Sequence, residues 1–213
     1  MRRDAIDWTL HVVTDATACG ARGVPAVVRE AVAGGASVVQ LRDHEATTRE
    51  LCRAAEALRE LLAGAGVPLV VDDRLDVALA TGADGVHLGQ SDLPVVAARE
   101  IAGPDLVIGW SVTDLREAEL AWALPEGTVD YLGVGPVYPT RTKSDAAPPL
   151  GVVGLAAVCA RSSVPCVAIG GITARDAGAL AAAGAAGMAV VSAICSAEDP
   201  RAAACELRAR FTR

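Results

Sequence analysis

The sequence predicts an α/β protein of the (β/α)8 barrel class, and three observations lead to this prediction. Short β-branched runs alternate with alanine-rich helical patterns along the whole chain, which is typical of βαβ units and a parallel sheet. Eight such pairs fit within 213 residues, a length at which α/β barrels commonly form one domain. Apolar residues make up 52% of the chain and aromatic residues only 3%, so we expect a core of Val, Leu, Ile and Ala. One barrel domain is therefore predicted over residues 1–213.

The predicted strands are short runs rich in valine and isoleucine. They cover residues 9–13, 37–41, 68–71, 84–88, 105–109, 129–134, 165–169 and 187–192. Between them, apolar residues recur at helical spacing and predict helices over 24–34, 46–63, 74–81, 94–102, 114–123, 151–162, 174–183 and 199–212. An open doubly wound sheet is the alternative. A closed barrel is favoured because no Gly-x-Gly-x-x-Gly motif follows the first strand.

Composition excludes several classes of partner. The net charge of −7 is unlike the basic footprint of a nucleic-acid-binding protein. Six cysteines without a Cys-x-x-Cys pair favour reduced thiols used as small apolar fillers. The amino terminus lacks the apolar run of a signal peptide, and no segment reaches membrane-span length without a break. We expect a cytoplasmic protein whose partners are small molecules, with neither nucleic acid nor membrane among them.

Candidate functional residues are expected directly after each strand, because barrel active sites lie at the carboxyl ends of the strands. After the second strand, alternation places Gln40, Arg42 and His44 on one side. Three polar side chains on the inward face would be costly unless they meet a polar ligand. An ordinary strand exit with a surface salt bridge is the alternative.

The ends of the third and fourth strands carry aspartates that could converge, namely Asp73 and Asp92. Two carboxylates facing one pocket repel each other unless a proton or a cation lies between them. Magnesium is typically held by one or two carboxylates, with substrate phosphates completing its shell. The alternative is that Asp72 or Asp73 caps the helix predicted to begin near Arg74. His87 is expected to be packed and hydrogen-bonded, because no second histidine stands at ligand spacing.

Two features predict phosphate binding. Gly170 and Gly171 follow the seventh strand and Ser192 ends the eighth, and these loops are the usual phosphate site of barrel enzymes. Glycines that only reverse the chain are the alternative. The second feature is the long loop 135–150, "GPVYPTRTKSDAAPPL", which contains Lys143, the single lysine among 19 basic residues. Its threonines and lysine suit a small oxygen-rich anion, although an ordinary solvated loop is also possible.

Six segments resemble, in family order, the motifs of thiamine-phosphate synthases. They are "VVQLRDH", "VDDRLDVALATGADGVHLGQSDLP", "IGWSV", "DYLGVGPVYPTRTKSD", "VAIGGIT" and "AVVSAI". The resemblance covers nearly the whole chain and implies a (β/α)8 barrel. It also implies an enzyme that joins hydroxymethylpyrimidine diphosphate to a hydroxyethylthiazole phosphate, plain or carboxylated, and releases diphosphate with Mg²⁺ as cofactor.

The resemblance implies a role for each matching residue. Pyrimidine diphosphate would be bound by Gln40, Arg42, Asp43, His44, Asp72, Ser111 and Lys143, among which Arg42, Ser111 and Lys143 would be catalytic. Thiazole phosphate would be bound by Thr140, Arg141, Thr142, Gly171, Val191 and Ser192. Magnesium would be held by Asp73 and Asp92.

Two positions depart from the family pattern. His44 stands where the family usually has lysine, and Asp72 stands where it usually has asparagine. Alternatives to a thiamine-phosphate synthase are a thiazole tautomerase, a barrel that binds thiamine precursors without turnover, and an aldolase using a Schiff base on Lys143. Pro136 after Gly135, where a tautomerase would have a catalytic histidine, argues against the first of these.

Overall fold

The chain forms a closed barrel of eight parallel strands in the order β1 to β8, which confirms the predicted fold. The structure is a computed structural model that describes residues 5–140, 142 and 147–212. The strands are β1 (Leu10–Val13), β2 (Val38–Leu41), β3 (Leu69–Asp72), β4 (Gly85–Leu88), β5 (Val107–Val112), β6 (Tyr131–Val134), β7 (Cys166–Ile169) and β8 (Gly187–Val190). All eight predicted strands are present. The fifth extends to Val112 instead of ending at residue 109, because Gly109 lies within the ladder, opposite Tyr131.

Ten α-helices lie in the described part of the chain. They are α1 (Ala16–Cys19), α2 (Val24–Ala33), α3 (Thr48–Ala63), α4 (Leu75–Thr81), α5 (Val95–Ala102), α6 (Leu115–Trp122), α7 (Gly151–Cys159), α8 (Ala177–Ala182), α9 (Ser192–Cys195) and α10 (Pro200–Arg210). The eight predicted helices are confirmed with slightly shorter ends. Helices α1 and α9 were not predicted, because four residues are too few to show a helical period. None of the helices in the described ranges is long and apolar enough to cross a membrane.

The core has two layers. The larger layer, between strands and helices, consists mostly of Val, Leu, Ile and Ala, as predicted. The smaller layer fills the barrel interior, where Trp8 and Tyr131 pack with ring centroids 4.6 Å apart among small aliphatic side chains. His11 stacks on Trp8 and is fully buried, so the cost of burying charge lowers its pKa to about 3. Rings therefore occupy the barrel interior despite the low aromatic content.

Side-chain acceptors fix the amino-terminal end of the barrel. The residue before β2, Ser37, accepts a hydrogen bond from Leu10 N at 2.9 Å. Asp84, before β4, accepts from Leu69 N at 2.9 Å, and Asp130, before β6, accepts from Ile108 N at 2.7 Å. Each acceptor satisfies a backbone donor of the preceding strand, so neighbouring strands are joined at this end. At the opposite, carboxyl end of the barrel lie the residues that follow the strands, including those predicted for the site.

Candidate active site

Three polar side chains from β2 and the loop after it converge on one carboxylate, that of Asp72 at the end of β3. Gln40 Nε2 donates to Asp72 Oδ1 at 2.5 Å. Arg42 Nε lies 3.5 Å and His44 Nε2 3.6 Å from Asp72 Oδ2. Leu41, between them, is buried on the other side of the strand. The alternation predicted from the sequence is therefore confirmed, and a carboxylate of the neighbouring strand is the group on which these side chains meet.

Asp73 and Asp92 lie close together, as the sequence predicted. Asp92 is close enough to raise the pKa of Asp73, and His44 Nδ1 lies 3.7 Å from Asp73 Oδ2. Burial, together with the negative charges of Asp72 and Asp92, raises the pKa of Asp73 to about 7. Asp73 is thus a carboxyl group that needs a proton or a cation near neutral pH.

Helix capping does not account for these aspartates. Helix α4 begins after Arg74, which makes no capping hydrogen bond and instead pairs with Asp76 at 2.6 Å. Asp73 adopts a left-handed backbone with φ of 59°, a conformation that aspartate tolerates better than most residues. Its N–H donates to His87 O at 2.8 Å, which joins the end of β3 to β4.

The donor set fits a divalent cation. One ligand atom each from His44, Asp72 and Asp73 lies within 4.8 Å of the other two. Asp92 contacts the same group, and its Oδ2 accepts from Gly89 N at 2.6 Å. Carboxylate oxygens are the ligands that Mg²⁺ prefers, and a cation would relieve the repulsion that raises the pKa of Asp73.

Ser111 is held at the barrel mouth by a buried pair of side chains. Its Oγ lies 2.9 Å from His87 Nε2, and His87 Nδ1 lies 2.9 Å from the Tyr131 hydroxyl. Burial raises the pKa of Tyr131, so the phenol stays neutral. Room for the imidazole exists because Gly109 and Gly133 lack a Cβ: one added at either position would lie within 3 Å of the ring. The prediction that His87 is packed and hydrogen-bonded is confirmed.

The loops after β6, β7 and β8 line an open cavity of about 650 Å³. Five residues predicted for thiazole phosphate line it together: Thr140, Thr142, Gly171, Val191 and Ser192. Gly171 has a φ of 66°, and a Cβ there would collide with the backbone oxygen of Pro139. Glycine is therefore required both by the backbone conformation and by the close approach of the neighbouring loop.

Sequence reasoning missed one wall of this cavity. Asp15, Thr17 and Ala18, from the short helix after β1, also line it. Asp15 caps that helix by accepting a hydrogen bond from Ala18 N at 2.7 Å. The signal was an aspartate two residues after the first strand, a typical capping residue at a βα junction.

Asp43 has a local role in the described structure. Its Oδ1 accepts from Glu45 N and Ala46 N, both at 3.1 Å, so the carboxylate shapes the loop that carries His44. The base of the 135–150 loop is tied to β7 by Val137 N donating to Ile169 O at 2.8 Å. Two residues predicted for this loop, Arg141 and Lys143, lie outside the described residues.

Comparison with known proteins agrees with this geometry. Residues 10–194 match the profile of the family described as thiamine monophosphate synthase. A thiamine-phosphate synthase of Albidiferax ferrireducens is 51% identical over 93% of this chain and 90% of its own length. One of Chloroflexus aurantiacus is also 51% identical, over 96% of this chain and 93% of its own.

Solved structures point the same way. A thiamine phosphate pyrophosphorylase from Pyrococcus furiosus superposes with a TM-score of 0.87 at 42% identity, covering 97% of this chain and 96% of that chain. A 3-hexulose-6-phosphate synthase, with a TM-score of 0.69 at 20% identity over 96% of this chain and 100% of its own, shares the fold alone. The chain belongs to the thiamine-phosphate synthase family and is a transferase of thiamine biosynthesis.

Proposed function

We propose that the chain joins hydroxymethylpyrimidine diphosphate to a hydroxyethylthiazole phosphate in a Mg²⁺-dependent reaction that releases diphosphate. One observation carries the proposal: a carboxylate-rich centre at the ends of β3 and β4 and a cavity at β6 to β8, large enough for a phosphorylated small molecule, open on the same face of one barrel. The first suits a metal-bound diphosphate and the second a phosphate monoester. In this proposal the protein is a single-domain cytoplasmic enzyme and its partners are these small molecules.

The pyrimidine diphosphate is assigned to the β2, β3 and β5 ends. Gln40, Arg42 and His44 already converge there, and Ser111 is fixed by His87. Arg42 offers a planar guanidinium that suits phosphate oxygens. Lys143, which carries a compact positive charge, is assigned to the same substrate. Asp43 contributes indirectly: its carboxylate accepts hydrogen bonds from the backbone of the loop that carries His44 and so holds that loop in place.

The thiazole phosphate is assigned to the cavity lined by Thr140, Thr142, Gly171, Val191 and Ser192, with Arg141 on the same loop. Hydroxyl groups and the close backbone approach at Gly171 suit phosphate oxygens. The carboxylate of Asp15 faces the same cavity, where it caps helix α1. We assign it to the wall and not to anion binding, because a carboxylate repels phosphate.

The proposed mechanism needs no side-chain nucleophile. The bond between the pyrimidine methylene carbon and the diphosphate oxygen breaks, and the electron pair leaves with diphosphate. Arg42 and Lys143 stabilise that developing negative charge, and Ser111 orients the pyrimidine substrate. The thiazole nitrogen then supplies the electron pair of the new carbon–nitrogen bond. Mg²⁺ held by Asp73 and Asp92 would neutralise charge on the diphosphate when bound. Positioning of the two substrates in one mouth accounts for the rest of the rate increase.

A diphosphate-release assay tests this proposal directly. We expect release only when both substrates and a divalent cation are present, with thiamine phosphate formed in equal amount. Isomerisation of a thiazole phosphate without a cation would indicate a tautomerase instead. Tight binding of both substrates without release would indicate a non-catalytic barrel. Borohydride trapping of a carbonyl substrate on Lys143 would indicate aldolase chemistry.

A further inference from the structure

The two residues that depart from the family pattern contact each other. His44 Nε2 lies 3.6 Å from Asp72 Oδ2, and His44 Nδ1 lies 3.7 Å from Asp73 Oδ2. One imidazole thus faces a different carboxylate with each ring nitrogen. The lysine and asparagine usual at these positions could make no such arrangement, because a protonated lysine has no lone pair to offer a metal.

Asp72 is placed to orient the imidazole. Its Oδ1 accepts from Gln40 Nε2 at 2.5 Å, and its Oδ2 lies 3.5 Å from Arg42 Nε, so its position is set by β2. A carboxylate beside Nε2 favours the tautomer that carries its proton there, which directs the lone pair of Nδ1 toward Asp73. A histidine ligand whose second nitrogen faces a carboxylate is a common arrangement around protein-bound metals.

We propose that His44 Nδ1 joins Asp73 as a ligand of the bound cation, with Asp72 as the residue that orients it, and that this centre therefore binds a transition-metal ion such as Mn²⁺ more tightly than the Mg²⁺ of the proposed reaction. The proposal rests on the proposed function and specifies the metal at that same centre. Cis ligands of an octahedral ion with bonds of about 2.1 Å lie about 3 Å apart, so the 3.7 Å separation requires only a small side-chain shift. His44 is half exposed on a loop and has room for that shift.

The chemistry of the ligands gives the selectivity. Mg²⁺ is a hard ion that prefers oxygen ligands and gives up its waters reluctantly. First-row transition ions accept an imidazole nitrogen more readily than Mg²⁺ does, and among them Mn²⁺ is the weakest binder, so the effect measured with Mn²⁺ is the smallest of the series. An all-oxygen site formed by Asp73 and Asp92 would not discriminate in this way. The rival role for His44 is that of an imidazolium paired with the carboxylates, in which neither nitrogen can bind a metal.

Electron spin-echo spectroscopy of Mn²⁺ bound to the substrate-free protein tests the proposal without reference to turnover. We expect modulation from a directly coordinated ¹⁴N nucleus, which changes to the ¹⁵N pattern when the histidines are ¹⁵N-labelled. The chain has three histidines. His11 is fully buried, and both ring nitrogens of His87 contact hydroxyl groups, so the signal would report on His44.

Three variants are compared with the parent protein for nitrogen modulation and for the affinities of Mn²⁺ and Mg²⁺. His44→Lys should abolish the nitrogen modulation and lower the ratio of Mn²⁺ to Mg²⁺ affinity by about tenfold or more, the scale on which changes around a metal alter its affinity. Asp72→Asn should keep the nitrogen modulation but weaken Mn²⁺ binding more than Mg²⁺ binding. A merely structural disturbance of the site would weaken the binding of both ions. Glu45→Gln, an exposed neighbour in the same loop, should change neither property.

Absence of nitrogen modulation in the parent, or an unchanged affinity ratio in His44→Lys, would overturn the proposal. Diphosphate release is measured in parallel on the same preparations. Release without nitrogen modulation means that the assignment of His44 fails while the proposed function stands. Nitrogen modulation without diphosphate release under any cation means that the proposed function fails. The metal site with His44 as a ligand would then stand, but it would not serve this reaction.

Discussion

At the residue scale, Asp73 and Asp92 provide the test of the cation site. Asp73→Asn and Asp92→Asn should each raise the metal concentration that gives half-maximal activity, because each removes a carboxylate from a site completed by substrate phosphates. The measurement is initial rate against metal concentration, with folding checked by circular dichroism. Asp105→Asn, an exposed aspartate at the other end of the barrel, is the matched control. Unchanged metal dependence in both variants would mean that these carboxylates hold no cation.

Lys143 gives a second prediction at this scale. Lys143→Ala should lower kcat by about 10²–10³, as the loss of one group stabilising transition-state charge typically does. The melting temperature should change little, because the sequence places the residue in the predicted loop 135–150 and not in the predicted core. Lys143→Arg should restore only part of the rate, since guanidinium and ammonium place charge differently. Near-normal turnover in Lys143→Ala would remove its role at the diphosphate.

At the element scale, the turn after β7 sets the thiazole cavity. Gly171→Ala should raise KM for the thiazole phosphate, because the new Cβ collides with Pro139 O and displaces the facing loop. It should also cost roughly 1–2 kcal/mol of stability from left-handed strain. Gly66→Ala is the matched control, with a φ of 65° and nothing within 4 Å of the new Cβ. Equal KM values in the two variants would show that the turn does not shape the cavity.

Elements with a clear period were predictable from the sequence, and the short ones were not. Eight strands and eight helices followed from patterns of apolar residues, because burying one face imposes that spacing. Helix α9 begins at Ser192, where the predicted last strand continued, since four helical residues give no periodic signal. That Gln40, Arg42 and His44 share one side followed from alternation along β2. That Asp72 itself is the meeting point depends on the β2–β3 register, in which Gln40 pairs with Val70, and no local pattern encodes that register.

At the scale of the whole molecule, one buried histidine links stability to acid. The pKa of His11 is lowered from 6.5 to about 3 by burial and by the nearby His87. The unfolded chain binds a proton below about pH 6.5 and the folded chain does not, so this residue makes stability fall as the pH drops from about 6.5 toward 3. Between pH 6.5 and 5 the loss should be about 2 kcal/mol, at about 1.4 kcal/mol per pH unit.

Chemical denaturation at several pH values measures this effect. His11→Phe keeps a ring between Trp8 and Tyr131 but cannot titrate, so its stability should fall less steeply on acidification than that of the parent. Groups common to both proteins, such as Asp73, cancel in the difference between the two curves. Parallel curves over this range would show that His11 is not the source of acid sensitivity.

The space that His87 occupies inside the barrel constrains how this chain can evolve. The imidazole stands where Cβ atoms of residues 109 and 133 would otherwise be, so three positions on three adjacent strands share one volume. Neither glycine can drift to alanine while the histidine remains, and a smaller residue at 87 would leave a void and release Ser111. At residue 133 the histidine must therefore be lost first, whereas at residue 109 the ring of Tyr131, which lies nearest to the added Cβ, must also give way. Among descendants of this sequence, we expect the three positions to change as one inherited unit.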